Sequence, residues 1–102
     1  MWILQSSDGG EESITFRLSS GAIKTVGRAP SAELIVEAAL VSRLHCRLEA
    51  GDETLKVVDL DSTNGTYVNG GRVTAAHLIP GDMLKVGRVE FRVGRTEAEF
   101  ES

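Results

Sequence analysis

The sequence has few of the residues that crosslink a chain or bind a metal. Cys46 is its single cysteine, so an intrachain disulfide is impossible and a reducing compartment is the natural interpretation. Structural zinc sites use four ligands, which one cysteine and two histidines do not supply. We therefore expect no metal, and no motif in the chain predicts a cofactor.

Long apolar runs are also missing. No stretch approaches the roughly 18 apolar residues that indicate a membrane-spanning helix. The N-terminus, Met1-Trp2-Ile3-Leu4-Gln5, turns polar too soon for a secretory signal peptide. These absences predict an intracellular protein without a membrane partner.

The charge balance argues against a nucleic-acid-binding protein. The chain has 102 residues, enough for one domain with one core, and a formal net charge of −4. Several of its acids fall in an early loop and in the C-terminal tail, namely Asp8, Glu11, Glu12, Glu97, Glu99 and Glu101. Without them the body of the chain is mildly positive, which favours a small basic site over a broad basic face.

Short alternating stretches separated by turn residues predict strands. Ile14, Phe16 and Leu18 alternate with polar residues, and Leu44, Cys46 and Leu48 are predicted to share a second buried face in the same way. About ten such stretches, with no helical pattern longer than one turn, predict an all-β sandwich or barrel. Residues 37–44 and 72–79 are predicted as loops, and loops at one end of such a fold usually carry function.

The strand pattern ends close to the C-terminus. We interpret residues 1–94 as one domain and residues 95–102 as a flexible acidic tail or the start of a linker. The chain is either a whole protein or the N-terminal domain of a longer one, and the trailing segment favours the second.

Residues 62–70 combine a polar loop with a hairpin. Ser62-Thr63-Asn64-Gly65 offers hydroxyls, a carboxamide and a glycine amide, and a short predicted strand follows it. Asn69-Gly70 then predicts a two-residue turn, because both residues tolerate the positive φ of a type I′ turn. A polar loop held directly by a hairpin is rigid, and we interpret it as one wall of a phosphate-binding surface.

Two earlier motifs supply candidates for the other wall. Gly27-Arg28 follows a predicted strand, and Ser42-Arg43-Leu44-His45 leads into another. The three motifs are rich in hydrogen-bond donors and contain no carboxylate, which suits an anion with several acceptor oxygens. A phosphate monoester is the obvious case, since the planar guanidinium of arginine bonds two oxygens at once.

Catalysis and metal binding are the competing interpretations of the second motif. A serine near a histidine suggests a nucleophile and its base, but a hydrolase also needs an orienting group and an oxyanion site. Neither is apparent, so we expect no enzyme, with His45 a buried residue that fixes the Ser42 loop. Cys46 beside it is expected to be a small core residue.

In this order and spacing, the three motifs resemble those of the forkhead-associated (FHA) domain family. Gly81-Asp82 and Val86-Gly87 also resemble that family's final hairpin, and the resemblance covers about residues 14–94. It implies an eleven-stranded antiparallel β-sandwich whose end loops bind phosphothreonine peptides.

The resemblance also implies a role for individual residues. Arg28 would bond the phosphate, and Ser42 would offer it a hydroxyl and a backbone amide. Arg43 would flank the phosphate or the peptide, and Thr63 would contact the phosphate region. Asn64 would hydrogen-bond the peptide backbone beside the phosphothreonine.

Other residues are expected to support the site or to read the flanking sequence. The supporting set is Gly27, His45, Gly65 and Asn69, with Asn69 placed where it can also reach the peptide. Members of the family often read the third residue after the phosphothreonine. Leu40 and Arg72 are the candidate readers, and apolar Leu40 favours an aliphatic residue.

The function implied is a phosphothreonine-dependent protein–protein interaction module, monomeric as an isolated domain. The alternative is phosphate-independent association through a sheet face, because a fold does not determine a function. The family occurs in DNA-damage response, cell-cycle control, transport and transcription. From this we expect a signalling role in the nucleus or cytoplasm, with the nucleus favoured.

Overall fold

The computed structural model describes residues 1–6 and 13–96, and eleven strands make up its regular structure. In chain order these are β1 (Trp2–Ser6), β2 (Thr15–Leu18), β3 (Ile23–Gly27), β4 (Leu34–Ile35), β5 (Cys46–Ala50), β6 (Leu55–Asp59), β7 (Thr66–Val68), β8 (Gly71–Val73), β9 (Ala75–Leu78), β10 (Met83–Val86) and β11 (Val89–Arg95). Within the described ranges, no helix has the length and hydrophobicity needed to cross a membrane.

The strands form two sheets that pack face to face. One sheet has six strands in the order β2-β1-β11-β10-β7-β8, and the other has five in the order β4-β3-β5-β6-β9. Neighbouring strands run antiparallel except β3 and β4, which are joined by a short parallel ladder in which Val26 faces Leu34. The predicted all-β sandwich with eleven strands is confirmed.

The core lies between the sheets and follows the alternation of the sequence. Val89, Phe91 and Val93 of β11 are buried together, as their spacing predicts. The ring of Phe16 stacks on Phe91 with 5.6 Å between centroids, and Leu48 lies in the same core cluster. Each such side chain contributes about 1.5–3 kcal/mol by leaving water, which makes the sandwich a firm support for its loops.

The strand predicted to contain Leu44, Cys46 and Leu48 begins later in the structure than expected. Leu44 was expected to share the buried face of Cys46, but β5 begins at Cys46 and the Leu44 side chain is 45% exposed. His45 is fully buried in its place. The reason is that the chain before Cys46 is an irregular loop, in which hydrogen bonds to the imidazole ring determine the side-chain directions.

The segment 72–79, predicted as a loop, instead contributes to two edge strands. β8 pairs with β7 through Tyr67 and Arg72, and β9 pairs with β6 through Leu55 and Leu78. The predicted turn is present between β7 and β8, where Asn69 has φ 50° and Gly70 has φ 88°. Small and exposed side chains on an edge strand leave little alternation in the sequence, which is why β9 was missed.

The last strand continues one residue past the predicted domain end. Arg95 pairs with Trp2, its guanidinium lies 4.7 Å from the centroid of the Trp2 ring, and it donates a hydrogen bond to the Asp52 carbonyl. Residues 97–102 and the acidic stretch 7–12 lie outside the described residues. The division into a domain and an acidic tail therefore stays a prediction.

Candidate functional site

The end of β3 and the loop before β5 are joined through Gly27. A Cβ on this glycine would lie 2.0 Å from the Arg43 carbonyl oxygen, so no larger residue fits without moving the backbone. The close approach lets Arg28 N–H donate to the Ser42 carbonyl at 3.0 Å and Ala29 N–H donate to the Arg43 carbonyl at 3.1 Å. Arg28 and Ser42 are thereby held beside each other.

One guanidinium nitrogen of Arg28 is hydrogen-bonded within the protein, and the other two bond none of the described residues. Nε donates to the Val41 carbonyl at 3.0 Å. The terminal nitrogens have no hydrogen-bond or ion-pair partner among residues 1–6 and 13–96. The guanidinium is exposed, so an anion can reach both free nitrogens of its planar fork.

Ser42 presents its hydroxyl rather than its amide. The Ser42 N–H donates to His45 Nδ1 at 3.0 Å, which leaves it engaged inside the loop. Ser42 Oγ accepts the Thr63 N–H at 3.0 Å, and a hydroxyl that accepts in this way still has its proton to donate. The same bond joins the loop before β5 to the loop before β7.

His45 connects the loop before β5 with the loop before β7. Its ring is fully buried, with Nδ1 accepting from Ser42 and Nε2 donating to the Gly65 carbonyl at 2.8 Å. Because Nδ1 accepts an amide N–H, the proton of the neutral imidazole is on Nε2. Gly65 has φ 91°, a left-handed conformation that favours glycine, and this turns its carbonyl toward the ring.

Asp59, at the end of β6, holds the loop before β7 and was missed in the sequence. Its Oδ1 accepts from Ser62 Oγ at 2.6 Å and from Thr66 Oγ1 at 2.7 Å, and its Oδ2 accepts the Ser62 N–H at 3.1 Å. Ser62 Oγ in turn accepts the Gly65 N–H at 3.0 Å. An aspartate at a strand end, with a serine three residues later, is the local signal that predicts such a turn.

The hydrogen bonds to Asp59 also affect its ionisation. Partial burial acts to raise the pKa of its carboxyl, but the hydrogen bonds donated by Ser62 and Thr66 outweigh burial and hold the pKa below its usual value. Beneath it, the Cys46 thiol has its pKa raised to about 12, chiefly by burial and also by the charge of Asp59. The carboxylate is therefore the stable form that organises the loop.

Asn64 and Leu40 form a further connection across the site. Asn64 Nδ2 donates to the Leu40 carbonyl at 3.1 Å, which leaves the carboxamide oxygen without a partner among the described residues. Leu40 has φ 72° and a side chain that is 43% exposed. A leucine in this left-handed region is strained, and such strain is concentrated at functional sites.

One open cavity brings most of the predicted binding residues together. It is lined by Arg28, Ser42, Thr63 and Asn64 together with residues 37–41. Arg43 is exposed but outside this lining, although it lies in the same loop. Glu37, an exposed acid outside the predicted motifs, also lines the cavity.

Asn69 and Arg72 lie away from this cavity. Asn69 Nδ2 donates to Asp82 Oδ1 at 3.1 Å and its Oδ1 accepts the Met83 N–H at 2.9 Å, so the side chain ties the hairpin turn to β10. Both the nitrogen and the oxygen of its carboxamide are therefore hydrogen-bonded within the protein. The Arg72 side chain packs over Gly65, where Nε lies 2.6 Å from the position that a Cβ would take.

The fold and these motifs are those of a known family. The family model of the FHA domain matches residues 24–87, most of the chain. The chain belongs to the FHA domain family. The resemblance drawn from the three motifs is thus confirmed, and the matched segment contains all three.

Relatives and solved structures agree with this FHA assignment. The glycogen accumulation regulator GarA of Mycobacterium tuberculosis is 36% identical over 80 residues, which cover 76% of this chain and 49% of GarA. The chain therefore spans about half the length of the curated relatives it matches. GarA is named as a regulator and not as an enzyme.

Two solved FHA domains superpose closely on the chain. The FHA domain of the CT664 protein from Chlamydia trachomatis has a TM-score of 0.87 at 26% identity, covering 93% of this chain and 97% of that one. A chain from a structural and functional study of phosphothreonine-dependent FHA domain interactions has a TM-score of 0.82 at 32% identity, covering 93% and 96%.

Proposed function

We propose that this FHA domain binds a phosphothreonine-containing segment of a partner protein in the cavity beside Arg28. The observation that carries the proposal is the Arg28 side chain, whose two free guanidinium nitrogens face an open cavity with no ion-pair partner in the described part of the chain. A dianionic phosphate is the ligand that such a fork fits best. The relation to a protein studied for phosphothreonine-dependent FHA interactions supports the same ligand.

The remaining residues of the cavity have complementary roles in this proposal. The Ser42 hydroxyl donates to a phosphate oxygen while its amide stays bonded to His45. The free carboxamide oxygen of Asn64 accepts a backbone N–H of the peptide. Thr63 borders the phosphate through its hydroxyl, and Arg43 supports binding by its charge from outside the cavity.

The expected affinity follows from the number of bonds. Charge-assisted hydrogen bonds contribute about 1.5–3 kcal/mol each, and three or four of them would give roughly 5–12 kcal/mol before the entropy of association is subtracted. Micromolar affinity corresponds to about 8 kcal/mol. We therefore expect a reversible contact of a monomeric domain, which a kinase and a phosphatase can switch.

Catalysis by the serine and histidine is disfavoured by their hydrogen bonds. Nδ1 of His45 bonds the backbone amide of Ser42, and Nε2 bonds the Gly65 carbonyl, so neither nitrogen contacts the Ser42 hydroxyl. A general base must be within hydrogen-bond reach of the proton that it removes. We infer a regulatory rather than an enzymatic role, in line with the name of GarA.

The biological setting is proposed from the relatives. GarA and several further curated relatives come from mycobacteria and corynebacteria, which supports a role in bacterial phosphorylation-dependent regulation. The DNA-damage, cell-cycle and nuclear settings expected from the family at large have no support among them.

A second candidate function rests on the outer face of the five-stranded sheet. Ile23 of β3 is 59% exposed and Ile35 of the neighbouring β4 is 41% exposed. Exposed aliphatic side chains on adjacent strands suit phosphate-independent association. This alternative predicts binding that is the same for phosphorylated and unphosphorylated partners.

The two functions are separated by peptide titration with matched variants. Using a peptide selected from a phosphothreonine library, we expect Arg28→Ala to weaken binding at least about tenfold, because one charge-assisted bond or more is lost. Arg17→Ala is the control, since Arg17 is an exposed arginine on β2 at the opposite edge of its sheet from β7 and β8. If both variants bind like the wild type, the phosphate site is not where we propose.

A further inference from the structure

A second cavity adjoins the first on the outer face of the six-stranded sheet. Among its lining residues are Tyr67, Lys85, Arg88 and Glu90. Leu40 and Asn64 line both cavities, so the two adjoin at these residues. A peptide that leaves the first cavity past Asn64 can therefore reach the second.

The strand register explains why charged side chains meet there. Lys85 of β10 is paired with Tyr67 of β7 on one side and with Glu90 of β11 on the other. Its neighbours Leu84 and Val86 are buried in the core, so Lys85 points outward. Arg88 follows in the turn between β10 and β11 and lines the same cavity.

The cations of this second cavity are available to a ligand. Lys85 Nζ lies 5.9 Å from the centroid of the Tyr67 ring, a cation–π contact that holds the ammonium over the outer face. Neither Lys85 nor Arg88 forms an ion pair in the described part of the chain, even though Glu90 lines the same cavity. With Lys85 and Arg88 against Glu90, the lining has one positive charge in excess.

Leu40 forms the ridge between the two cavities. Its backbone lies 3.0 Å from the position that a Cβ on Gly87 would take, so the absence of a side chain at Gly87 lets the Leu40 turn rest on the β10–β11 hairpin. The Asn64 carboxamide donates a hydrogen bond to the Leu40 carbonyl of the same turn. The strained φ of Leu40 thus places the phosphate cavity directly against the turn that contains Arg88.

We propose that the second cavity selects an acidic residue, Asp or Glu, in the sequence flanking the phosphothreonine of the same partner segment. This inference rests on the proposed function of the first cavity. Lys85 and Arg88 supply the attraction, and Tyr67 positions the ammonium of Lys85. Glu90 limits the excess charge, which suits a single carboxylate better than a run of acids. This preference for an acidic flanking residue differs from the preference for an aliphatic residue that Leu40 alone predicts.

The test is a charge scan of a bound phosphothreonine peptide. Each flanking position is changed in turn from Ala to Asp, and binding is measured for the wild type and for a Lys85→Ala, Arg88→Ala double variant. We expect Asp at one position, or at two neighbouring ones, to raise wild-type affinity roughly two- to fivefold, the size of an exposed ion pair. In the double variant the gain is lost, while the all-Ala peptide binds within about twofold of its wild-type affinity.

The matched control variant removes one lysine and one arginine that lie outside both cavities. Lys56 and Arg17 lie on other strands and line neither cavity, so the double variant Lys56→Ala, Arg17→Ala should keep the gain from Asp. No gain at any position, or a gain that persists without Lys85 and Arg88, would overturn this inference alone. Failure of the wild type to bind any phosphothreonine peptide would instead overturn the proposed function.

Discussion

Nε2 of His45 lies 2.8 Å from the carbonyl oxygen of Gly65, a residue 20 positions away in the chain. The other ring nitrogen accepts the amide of Ser42, so one buried side chain sets the spacing of two loops. Both hydrogen bonds are inside the protein, where an unpaired polar group is costly. The arrangement of the binding cavity thus depends on a residue that does not line it.

Replacing this histidine should weaken both the fold and the site. His45→Ala leaves the Ser42 amide and the Gly65 carbonyl without their partner and opens a space in the core. We expect the free energy of unfolding to fall by about 2–4 kcal/mol. Urea denaturation followed by the fluorescence of Trp2, the single and fully buried tryptophan, measures this change.

The control for His45 is the other histidine. His77 is exposed on β9 and its ring is bonded to the Thr54 hydroxyl at 3.0 Å. His77→Ala should change the free energy of unfolding by no more than about 0.5 kcal/mol. Equal losses for the two variants would mean that His45 is not a structural link.

Gly27 is the second position at which the site depends on close packing. A Cβ added to Gly27 would clash with the backbone carbonyl of Arg43, which cannot move aside as a flexible side chain can. We expect Gly27→Ala to destabilise the domain by at least about 2 kcal/mol and to weaken phosphopeptide binding, because Arg28 and Ser42 move apart. Gly71→Ala, where the nearest atom lies 3.7 Å from the added Cβ, should leave both unchanged. A Gly27→Ala variant with normal stability and binding would refute this account of the glycine.

Asp59 should make stability depend on pH in the acidic range. Its pKa is lowered in the folded state, so its contribution is fully present above its unfolded pKa of about 3.9 and is lost as the pH falls through the folded value. We expect Asp59→Asn to be less stable than the wild type by about 1 kcal/mol at pH 7, with the difference shrinking below about pH 4. Urea denaturation of both proteins between pH 7 and pH 3 measures it.

Asp52→Asn is the matched control for this pH series. Asp52 is exposed, and its carboxylate accepts no hydrogen bond from the residues that the structure describes. A difference between Asp59→Asn and the wild type that stays constant with pH, or that Asp52→Asn reproduces, would show that the Asp59 carboxylate is not the stabilising group.

The Cys46 thiol should be unreactive while the domain is folded. It is fully buried and its pKa is raised to about 12, so the thiolate that attacks thiol reagents is almost absent at neutral pH. We expect its rate of labelling by a chromogenic disulfide to be at least about a thousandfold below that of the urea-unfolded chain. Rapid labelling of the native domain would show that the core beneath the binding loops opens readily.

Much of the fold could be predicted because the strands obey simple periodicity. Alternation placed Phe91 and its neighbours in the core, and the turn preference of Asn69-Gly70 gave the hairpin beside the site. The prediction failed at Leu44, which the alternation places in the core although its side chain is exposed, while His45 is buried as expected. The hydrogen bonds of the buried imidazole to the Ser42 amide and the Gly65 carbonyl outweigh the alternation of apolar residues there. Periodicity carries no information about such a long-range polar link.

The sequence predicted several residues of the candidate site, but not the hydrogen bonds and the loop backbone that connect them. Family motifs named Arg28, Ser42 and Asn64, which line one cavity in the structure. The acid Glu37 in its lining and the left-handed Leu40 belong to an irregular loop, where neither pattern nor propensity determines the backbone. Asp59 accepts three hydrogen bonds across a turn, of which the two from Ser62 have a local sequence signal and the one from Thr66 has none.

Phosphothreonine-dependent binding at Arg28 can be measured with paired peptide libraries. One oriented library carries a fixed phosphothreonine and the other an unmodified threonine in the same sequence context, and both are applied to the wild-type domain and to Arg28→Ala. We expect only the phosphorylated library to bind the wild type, with roughly micromolar affinity for its best members, and Arg28→Ala to lose this binding. Equal retention of the two libraries by the wild type would contradict this expectation.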